Sequence, residues 1–487
     1  MAERTLADEL AAFATGTRAT DLPAEVVHDI GGRVLDVLGL CVAARHLPTS
    51  RAVVDLVAEQ GGAEQARVVG FALPRVPAAQ AALANGVLAH SLDFDDTHLP
   101  SVLHPSASVV PATLAAAELA GADGAQTVRA TALGLEVAVR LGMAGYDRRA
   151  GNSTFFEHGQ HATSICGTLG GAVAAAVLLG LDHEGVRDAL GLAASTASGI
   201  IESNRTGGTV KRLHCGWAAH AAVTAAQLAA RGLTGPPTVL EGRFGFFQAF
   251  LHGNYSPTEI TEDLGTRWAA PEIFHKPYPA NHFTHAAVDA ALELRARGLV
   301  PERVASAVLG VPAPVLRTVG EPIEQKRAPE TGYQAQFSGP YALAAALCGP
   351  GNGLGVTLAD YTDELARDPG RRALMARVEV VADPRATEVF PRQFPATLTV
   401  RDTDGEVWYA EVLANRGGPQ RPLSAEELGL KFQDNVSGAL DADRAGAVRA
   451  AAARLAELPD LAPLLDPCRP PANPPRASDH AAPYEGR

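Results

Sequence analysis

The feature that most restricts the fold of this chain is a run of small apolar residues from Ile165 to Leu181, ICGTLGGAVAAAVLLGL. It consists mostly of Ala and Gly and is slightly short for a membrane span, so it predicts a buried helix. The whole chain shares this bias, with 48 glycines, many alanines and only 5% aromatic residues. We therefore expect helices that approach one another closely and no membrane contact.

Length and charge restrict the partners of the chain. Its 487 residues predict one very large domain or two ordinary ones. The 41 basic and 54 acidic residues give a net charge of −13, which argues against a nucleic-acid partner. A small anionic substrate remains compatible with this balance, provided that the fold builds a local cationic pocket.

The cysteines and the N-terminus indicate the compartment. The five cysteines are Cys41, Cys166, Cys215, Cys348 and Cys468. They have no CxxC spacing, so they predict reduced thiols instead of a disulfide framework or a zinc site. The first residues, MAERTLADELAAFATG, lack the apolar segment of a signal peptide. We expect a cytoplasmic protein.

The segment from His90 to Ala107, HSLDFDDTHLPSVLHPSA, concentrates titratable groups between two predicted helices. Its carboxylates and imidazoles belong to Asp93, Asp95, Asp96, His90, His98 and His104. Pro105 begins the next helix, and a helix start exposes free N–H groups and the positive end of the helix dipole. An anionic substrate could therefore dock beside His104. This density of groups favours a functional site.

Two alternatives compete for this segment. His90, Asp93 and Asp96 are spaced i, i+3 and i+6 on a possible helix face, and carboxylates and imidazoles suit several divalent metal ions. Asp95-Asp96 resembles a magnesium-binding pair, although no further acid follows at the expected interval. Aspartates in turns also commonly cap helices, which would leave the segment a structural role.

Two other predicted helix starts carry polar side chains that suit a site. His158 and His161 stand just before the Gly/Ala-rich helix, where the helix dipole favours a neutral imidazole. Lys211 and Arg212 precede the helix WAAHAAVTAAQLAARG. Paired cations at a helix entrance are suited to hold a carboxylate, although surface Lys-Arg pairs are usually just solvated.

Residues 237–252 predict a further helix, and the pattern changes after about residue 254. An irregular, Pro-rich connection over 254–279 predicts a domain boundary near 266. Residues 304–312 and 376–382 have strand patterns, and Asp404-Gly405 between two alternating runs predicts a hairpin. The second region is therefore predicted to be α+β. The Pro-rich tail, 468–487, is predicted to be disordered.

Five separated motifs of this chain closely resemble the MmgE/PrpD family, in the right order between about residues 5 and 460. They are HSLDFDDTH with LHPSASVVPATLAAAE, HGQHATSICGTLGGAVAAA, GTVKRLHCGWAAHAA, KPYPANHFTHAAVDAA and QFSGPYALAAAL. The family contains 2-methylcitrate dehydratases, cis-aconitate decarboxylases and iminodisuccinate epimerases.

The resemblance implies a fold that is mainly α with an α+β lid. A large all-helical domain would comprise 1–266, with 435–466 returning to it. A smaller α+β lid domain would occupy 267–434. The resemblance further implies a site in the cleft and a homodimer.

Site residues follow by matching the family motifs, residue by residue, and Arg212 and His285, which lie within two of those motifs, are added to them. The residues assigned to catalysis are Asp93, His104, His161 and Lys211. The residues assigned to substrate binding are Thr97, Arg212, Lys276, His285 and Tyr341. No metal ligand and no cofactor is predicted.

The family resemblance implies a step in which a proton next to a carboxylate is removed or replaced and a neighbouring group leaves or inverts. The developing carbanion needs fixed cations and N–H dipoles. We predict a lyase that dehydrates or decarboxylates a small di- or tricarboxylate. An epimerase of an iminodisuccinate-type dicarboxylate and a metal-dependent hydrolase that uses the His/Asp cluster are the alternatives. A non-catalytic helical scaffold is the least favoured reading.

Overall fold

The computed structural model describes residues 4–470, and of Asn204 and Arg205 only the backbone. The chain forms two compact units. The first runs to Ile273 and resumes at Asn435, and the second covers Phe274–Asp434. The first is helical apart from one short strand pair, and the second combines helices with a four-stranded sheet. The predicted fold class, a helical domain with a smaller α+β domain, is confirmed.

The first unit is built from helices connected by loops of very different lengths. Before Ile273 these are α1 (Leu6–Gly16), α2 (Ala24–Ala44), α3 (Pro48–Gln60), α4 (Ala78–His90), α5 (Ser106–Ala120), α6 (Gly124–Ala144), α7 (Thr154–Glu157), α8 (Ala162–Leu178), α9 (His183–Thr196), α10 (Ser203–Thr206), α11 (Lys211–Ala229), α12 (Phe246–Leu251) and α13 (Thr258–Thr261). The short strands β1 (Tyr146–Asp147) and β2 (Asn152–Ser153) pair antiparallel.

The Gly/Ala-rich helix α8 lies at the centre of this unit. Every residue from Ala162 to Ala176 is buried, and α8 packs against α5, α6, α9 and α11. The prediction of a buried helix is confirmed. Within residues 4–470, none of the helices combines the length and the apolar character that a membrane span requires.

Helices α4 and α11 pack backbone to backbone because each has a glycine at the crossing. A Cβ added at Gly86 would lie 2.6 Å from the Cα of Gly216. A Cβ added at Gly216 would lie 2.5 Å from a methyl group of Val87 and also too close to the Leu83 carbonyl oxygen. This close approach fixes the end of α4 next to the start of α11, where polar side chains of the site stand.

We expect Gly216→Ala to destabilise the protein by about 1–3 kcal/mol, the usual cost of overpacking a tight contact. The matched control is Gly446→Ala, because Gly446 lies within a helix and has open space around it. That change should stabilise by up to about 1 kcal/mol through helix propensity alone. Urea unfolding of the two variants checks the sign, and equal effects would contradict the packing argument.

The second unit packs helices against a four-stranded sheet. Its helices are α14 (His285–Ala296), α15 (Leu316–Val319), α16 (Ile323–Arg327), α17 (Gly332–Ala335), α18 (Gly339–Cys348), α19 (Asp363–Ala366), α20 (Pro369–Met375) and α21 (Pro384–Val389). Its strands are β3 (Val304–Val311), β4 (Val378–Ala382), β5 (Ala396–Asp402) and β6 (Val407–Val412).

The sheet has the order β4-β3-β5-β6. Strands β3 and β4 are parallel, and the other two pairs are antiparallel, with Val400 opposite Trp408 in the hairpin. The predicted strands and hairpin are confirmed. The chain then continues through α22 (Ala425–Val436), α23 (Ala442–Ala453) and α24 (Ala462–Leu465). From position 471 onward, the tail predicted to be disordered lies outside the described residues.

Candidate functional site

The first unit brings together side chains from three separate places in the sequence. His90 is the last residue of α4, and the acidic loop 91–105 follows it directly. His161 precedes α8 as its N-cap, and Lys211 is the first residue of α11. Each of these positions lies at a helix end, where the backbone leaves the regular ladder and side chains can converge.

Four buried or nearly buried imidazoles form one cluster, which we call the imidazole cluster: His90, His104, His161 and His214. The ring centre of His90 lies 5.5 Å from that of His104 and 5.6 Å from that of His161. The rings of His161 and His214 are 5.0 Å apart, and their Nδ1 atoms are separated by 3.0 Å. At that distance one of the two facing nitrogens carries a proton and the other accepts it.

His104 is held by the backbone of the acidic loop. Its Nδ1 lies 2.7 Å from the carbonyl oxygen of Asp96, and the hydroxyl of Thr97 lies 3.4 Å from the same nitrogen. A carbonyl oxygen only accepts, so Nδ1 carries the proton and donates it. Nε2 is therefore the nitrogen of His104 that can take up and release a proton.

Asp96 holds the loop in place through its side chain. Its carboxylate accepts from Arg33 Nη1 at 2.9 Å, from the backbone N–H of Ser106 at 3.2 Å and from the Ser106 hydroxyl. Ser106 is the first residue of α5, so these bonds also satisfy N-terminal donors of that helix. Asp96 is thus a structural anchor for the loop that carries His104.

Lys211 contributes the positive charge of the site. Its Nζ lies 3.6 Å from Oδ1 of Asp93, and the two side chains are 18% and 8% exposed. Asp93 has a φ of 51°, a left-handed conformation that only a few non-glycine residues adopt. The pair therefore places an ammonium group and a carboxylate at the partly open side of the imidazole cluster.

Burial keeps two of the imidazoles neutral. Burial lowers the pKa of His161 well below its ordinary value, and nearby His90 and Lys211 lower it further. Burial also lowers the pKa of His214 to about 4, with further contributions from His90 and Lys211. At neutral pH both rings are therefore acceptors or weak donors and carry no charge.

This shift predicts a loss of stability in acid. Below its ordinary pKa of 6.5, His214 binds a proton in the unfolded chain, whereas the folded protein takes it up only near pH 4. The free energy of unfolding therefore falls as pH drops from about 6.5 towards 4. We expect His214→Asn to lose less stability between pH 7 and pH 5 than the wild type, measured by urea unfolding at both values.

The control for this measurement is His28→Asn. His28 is an exposed helix residue, so its variant should lose as much stability as the wild type over the same pH interval. A His214→Asn variant that matches this control would contradict the assignment of the acid sensitivity to His214.

The other predicted residues of the first unit lie around this cluster in different ways. Thr97 is buried beside His104. Arg212 turns towards α3, where its Nη1 donates to the Thr49 hydroxyl at 3.3 Å. His98 of the acidic loop contacts Ser101 through Nδ1 at 2.7 Å, and its Nε2 lies 3.9 Å from Glu272.

Lys276, His285 and Tyr341 belong to the second unit, and all three are buried there. Nε2 of His285 bonds the Ala280 carbonyl oxygen at 3.1 Å. The Tyr341 hydroxyl donates to the Asp360 carbonyl oxygen at 2.6 Å, and burial raises its pKa to about 12. The substrate-binding roles of these three residues stay predictions.

Three members of the site had no assigned role: His90 and Asp95, which belong to the predicted acidic segment, and His214, which was not singled out from the sequence. Nδ1 of His90 lies 2.7 Å from Oδ2 of Asp95, and both residues are buried. His214 follows Lys211 by three positions on the same helix, and this spacing places both side chains on one face. That spacing was visible in the motif KRLHCG and could have identified His214.

The described residues 4–470 contain no group of three or more His, Cys, Asp or Glu side chains that could hold a metal ion. The spacing of His90, Asp93 and Asp96 in the sequence therefore does not become a ligand set in the fold. The two aspartates instead contact Lys211 and Arg33.

Comparison with known proteins gives two family matches that together span most of the chain. Residues 8–258 match the MmgE/PrpD N-terminal domain, and residues 278–457 match the MmgE/PrpD C-terminal domain. The first match contains the whole imidazole cluster, Asp93 and Lys211.

Several characterised proteins are similar in sequence. The human cis-aconitate decarboxylase is 31% identical over 414 residues, which cover 84% of this chain and 83% of that protein. The mouse cis-aconitate decarboxylase is 29% identical over 80% of this chain and 78% of that protein. The 2-methylcitrate dehydratase of Cupriavidus necator is 26% identical over 58% of this chain and 60% of that protein.

Proposed function

This chain belongs to the MmgE/PrpD family, and we propose that it is a lyase that acts on a small di- or tricarboxylate by a proton transfer at a carbon next to a carboxylate. The observation that carries the proposal is the imidazole cluster beside Lys211. An imidazole that can hold and release a proton and an ammonium group that attracts carboxylates are the two components such a reaction needs.

Among lyases, we propose a decarboxylase of a cis-aconitate-like tricarboxylate. Support comes from the human and mouse cis-aconitate decarboxylases, which resemble this chain over about four-fifths of its length (84% and 80%). The match to the 2-methylcitrate dehydratase covers 58% of the chain. Dehydration of a citrate-like substrate is the second possibility within the same class.

In this proposal, Lys211 binds a substrate carboxylate, and Asp93 orients the ammonium group. The carbon–carbon bond to the departing carboxylate breaks, CO2 leaves, and the electron pair is taken up by the allylic system of the substrate. A proton from an imidazolium, for which we propose His104, then binds to carbon. The net reaction consumes one proton and releases one CO2 for each substrate.

The neutral state of two imidazoles supports a sequence in which the substrate binds first and an imidazole is protonated afterwards. His161 and His214 are neutral in the empty site because burial and neighbouring positive groups lower their pKa. A bound tricarboxylate brings negative charge, which favours the protonated form of a nearby imidazole. Substrate binding would thus supply the acid that the reaction needs, and it would do so only when substrate is present.

The decisive experiment incubates the protein with citrate, methylcitrate, cis-aconitate and iminodisuccinate in D2O and follows each by NMR. We expect cis-aconitate to lose CO2 and its product to contain one new carbon-bound deuterium. Loss of water from citrate or methylcitrate would favour a dehydratase, and deuterium exchange at a stereocentre without elimination would favour an epimerase. No change in any of the four would contradict the proposed function.

Two expectations outside this reaction also remain proposals. We propose that the chain forms a homodimer, which sedimentation velocity would test. The alternative of a metal-dependent hydrolase predicts that a chelator abolishes activity, whereas the proposed lyase retains its activity under the same treatment.

A further inference from the structure

The His90–Asp95 pair has no role in the mechanism proposed above, although it is the most buried polar contact of the site. Nδ1 of His90 lies 2.7 Å from Oδ2 of Asp95, and the two residues are 3% and 0% exposed. Because a carboxylate only accepts, Nδ1 carries the proton and donates it. In the neutral ring, Nε2 is then the nitrogen without a proton.

Nε2 of His90 is buried, and it has no hydrogen-bond partner among the described residues. A buried acceptor without a donor costs about 1–3 kcal/mol, so such groups in folded proteins call for an explanation. The ring faces two members of the imidazole cluster, His104 at 5.5 Å and His161 at 5.6 Å between ring centres. This arrangement indicates that Nε2 of His90 can accept a proton during the reaction.

His90 also differs from the other three rings in its partner. The Nδ1 atom of His104 meets a backbone carbonyl oxygen, and the Nδ1 atoms of His161 and His214 meet each other. Among these four described rings, only the Nδ1 of His90 lies within hydrogen-bond distance of a carboxylate, and the same Oδ2 of Asp95 is 3.9 Å from Nδ1 of His104. A carboxylate on one nitrogen stabilises a positive charge on the ring when the other nitrogen is protonated.

We propose that the His90–Asp95 pair holds the proton that the reaction consumes, on Nε2 of His90, and passes it through His104 or His161 to the substrate carbon. The proposal rests on the proposed function. Its proton balance is closed: His90 takes up one proton from water when the substrate binds, loses that proton for each CO2 released, and returns to the neutral form. His90 is in this sense a positioning residue, since it acts through a neighbouring ring.

The test uses the full-length protein with cis-aconitate and compares three variants. His90→Asn removes the proton-holding nitrogen, and Asp95→Asn removes the charge that stabilises the proton while keeping the side-chain size. His98→Asn is the matched control, because His98 lies in the same loop, is equally buried and bonds a neighbour through Nδ1.

We expect His90→Asn and Asp95→Asn to lower kcat about tenfold to a hundredfold, at or below the effect of losing an acid or base that meets the substrate directly, with KM changed less than threefold. We also expect the alkaline limb of the kcat profile to move to lower pH in Asp95→Asn, since less positive charge is stabilised. The other titratable or charged side chains around the His90–Asp95 pair are those of His104, His161, His214, Lys211 and Asp93. Because Oδ2 of Asp95 also lies 3.9 Å from Nδ1 of His104, the pH profile of His90→Asn, which keeps Asp95 in place, must change as well. The His98→Asn control should match the wild type in kcat, KM and pH profile.

A second measurement does not depend on activity. Nitrogen-15 NMR of histidine-labelled protein, with the His90 signals identified by their loss in His90→Asn, should show Nδ1 protonated and Nε2 unprotonated in the neutral ring. A proton on Nε2 of the neutral ring would overturn the proposal.

The remaining outcomes distinguish a failure of the proposed function from a failure of the proton-holding role of His90. If the wild type turns over none of the four polycarboxylates, the proposed function has failed, whatever the spectrum shows. If the wild type is active and both variants keep its kcat and pH profile, the proton-holding role is wrong while the function stands. If neither variant folds although His98→Asn does, the pair is structural and the proposal is also overturned.

Discussion

If the proposed decarboxylation holds, we expect His104→Asn to lower kcat for a cis-aconitate-like substrate by at least about a hundredfold, the size typical of an acid or base residue. Asn can still donate from its amide to the Asp96 carbonyl oxygen, which His104 Nδ1 meets at 2.7 Å in the wild type. The loop therefore keeps its anchor. What the variant lacks is a group at the Nε2 position that can exchange a proton.

The measurement is steady-state decarboxylation, together with a urea-unfolding midpoint that should stay close to that of the wild type. His28→Asn serves as the control, because it makes the same substitution at an exposed position outside the site. A His104→Asn variant with full activity would remove His104 from the mechanism. A variant with a strongly lowered midpoint would point to a structural role for this ring instead.

The separate parts of the site could be read from the sequence, whereas their mutual contacts could not. His104, His161 and Lys211 each stand at the start of a predicted helix, and the structure has helices beginning at Ser106, Ala162 and Lys211. Helix starts are local features, so a single sequence reveals them. Which two imidazoles share a proton, as His161 and His214 do, depends on how helices far apart in the sequence pack.

The same limit explains why the acidic loop was difficult to interpret. Its aspartates look alike in the sequence, but each has a different partner in the fold: Lys211 for Asp93, His90 for Asp95 and Arg33 for Asp96. Arg33 precedes Asp96 by 63 positions, so no local pattern connects them. In the described part of the chain, the spacing of His90, Asp93 and Asp96 therefore does not predict which groups these side chains contact.

The prediction of secondary structure was wrong where glycines interrupt an apolar pattern. The residues 237–252 predict one helix, but only Phe246–Leu251 is helical. The backbone turns before that helix, since the N–H of Phe246 donates to the Val239 carbonyl oxygen at 2.7 Å. A Cβ at Gly245 would lie 2.7 Å from the same oxygen, so this turn requires glycine there. Apolar periodicity does not register such a local backbone constraint.

The largest effect on stability is expected for Arg33→Met. Arg33 is 1% exposed, and its guanidinium bonds Asp29, Asp96 and the carbonyl oxygens of Ala270 and Ile273. Removing it leaves a buried carboxylate at Asp96 without its cation, and breaking a buried ion pair in this way costs about 3–5 kcal/mol. The free energy of unfolding, measured with urea and far-UV circular dichroism, should fall by that amount.

Arg18→Met is the matched control for this change. Arg18 makes an equally well-formed pair with Asp21, at 2.9 Å, but its side chain is 78% exposed. An exposed pair contributes at most about 1 kcal/mol, because water and salt screen it. Equal losses in the two variants would contradict the argument that burial sets the cost.

Because Asp96 also orients His104 through its carbonyl oxygen, kcat of Arg33→Met should fall even at temperatures where the variant is fully folded. Unchanged kcat in the folded variant would show that the loop holds His104 without the Arg33–Asp96 pair.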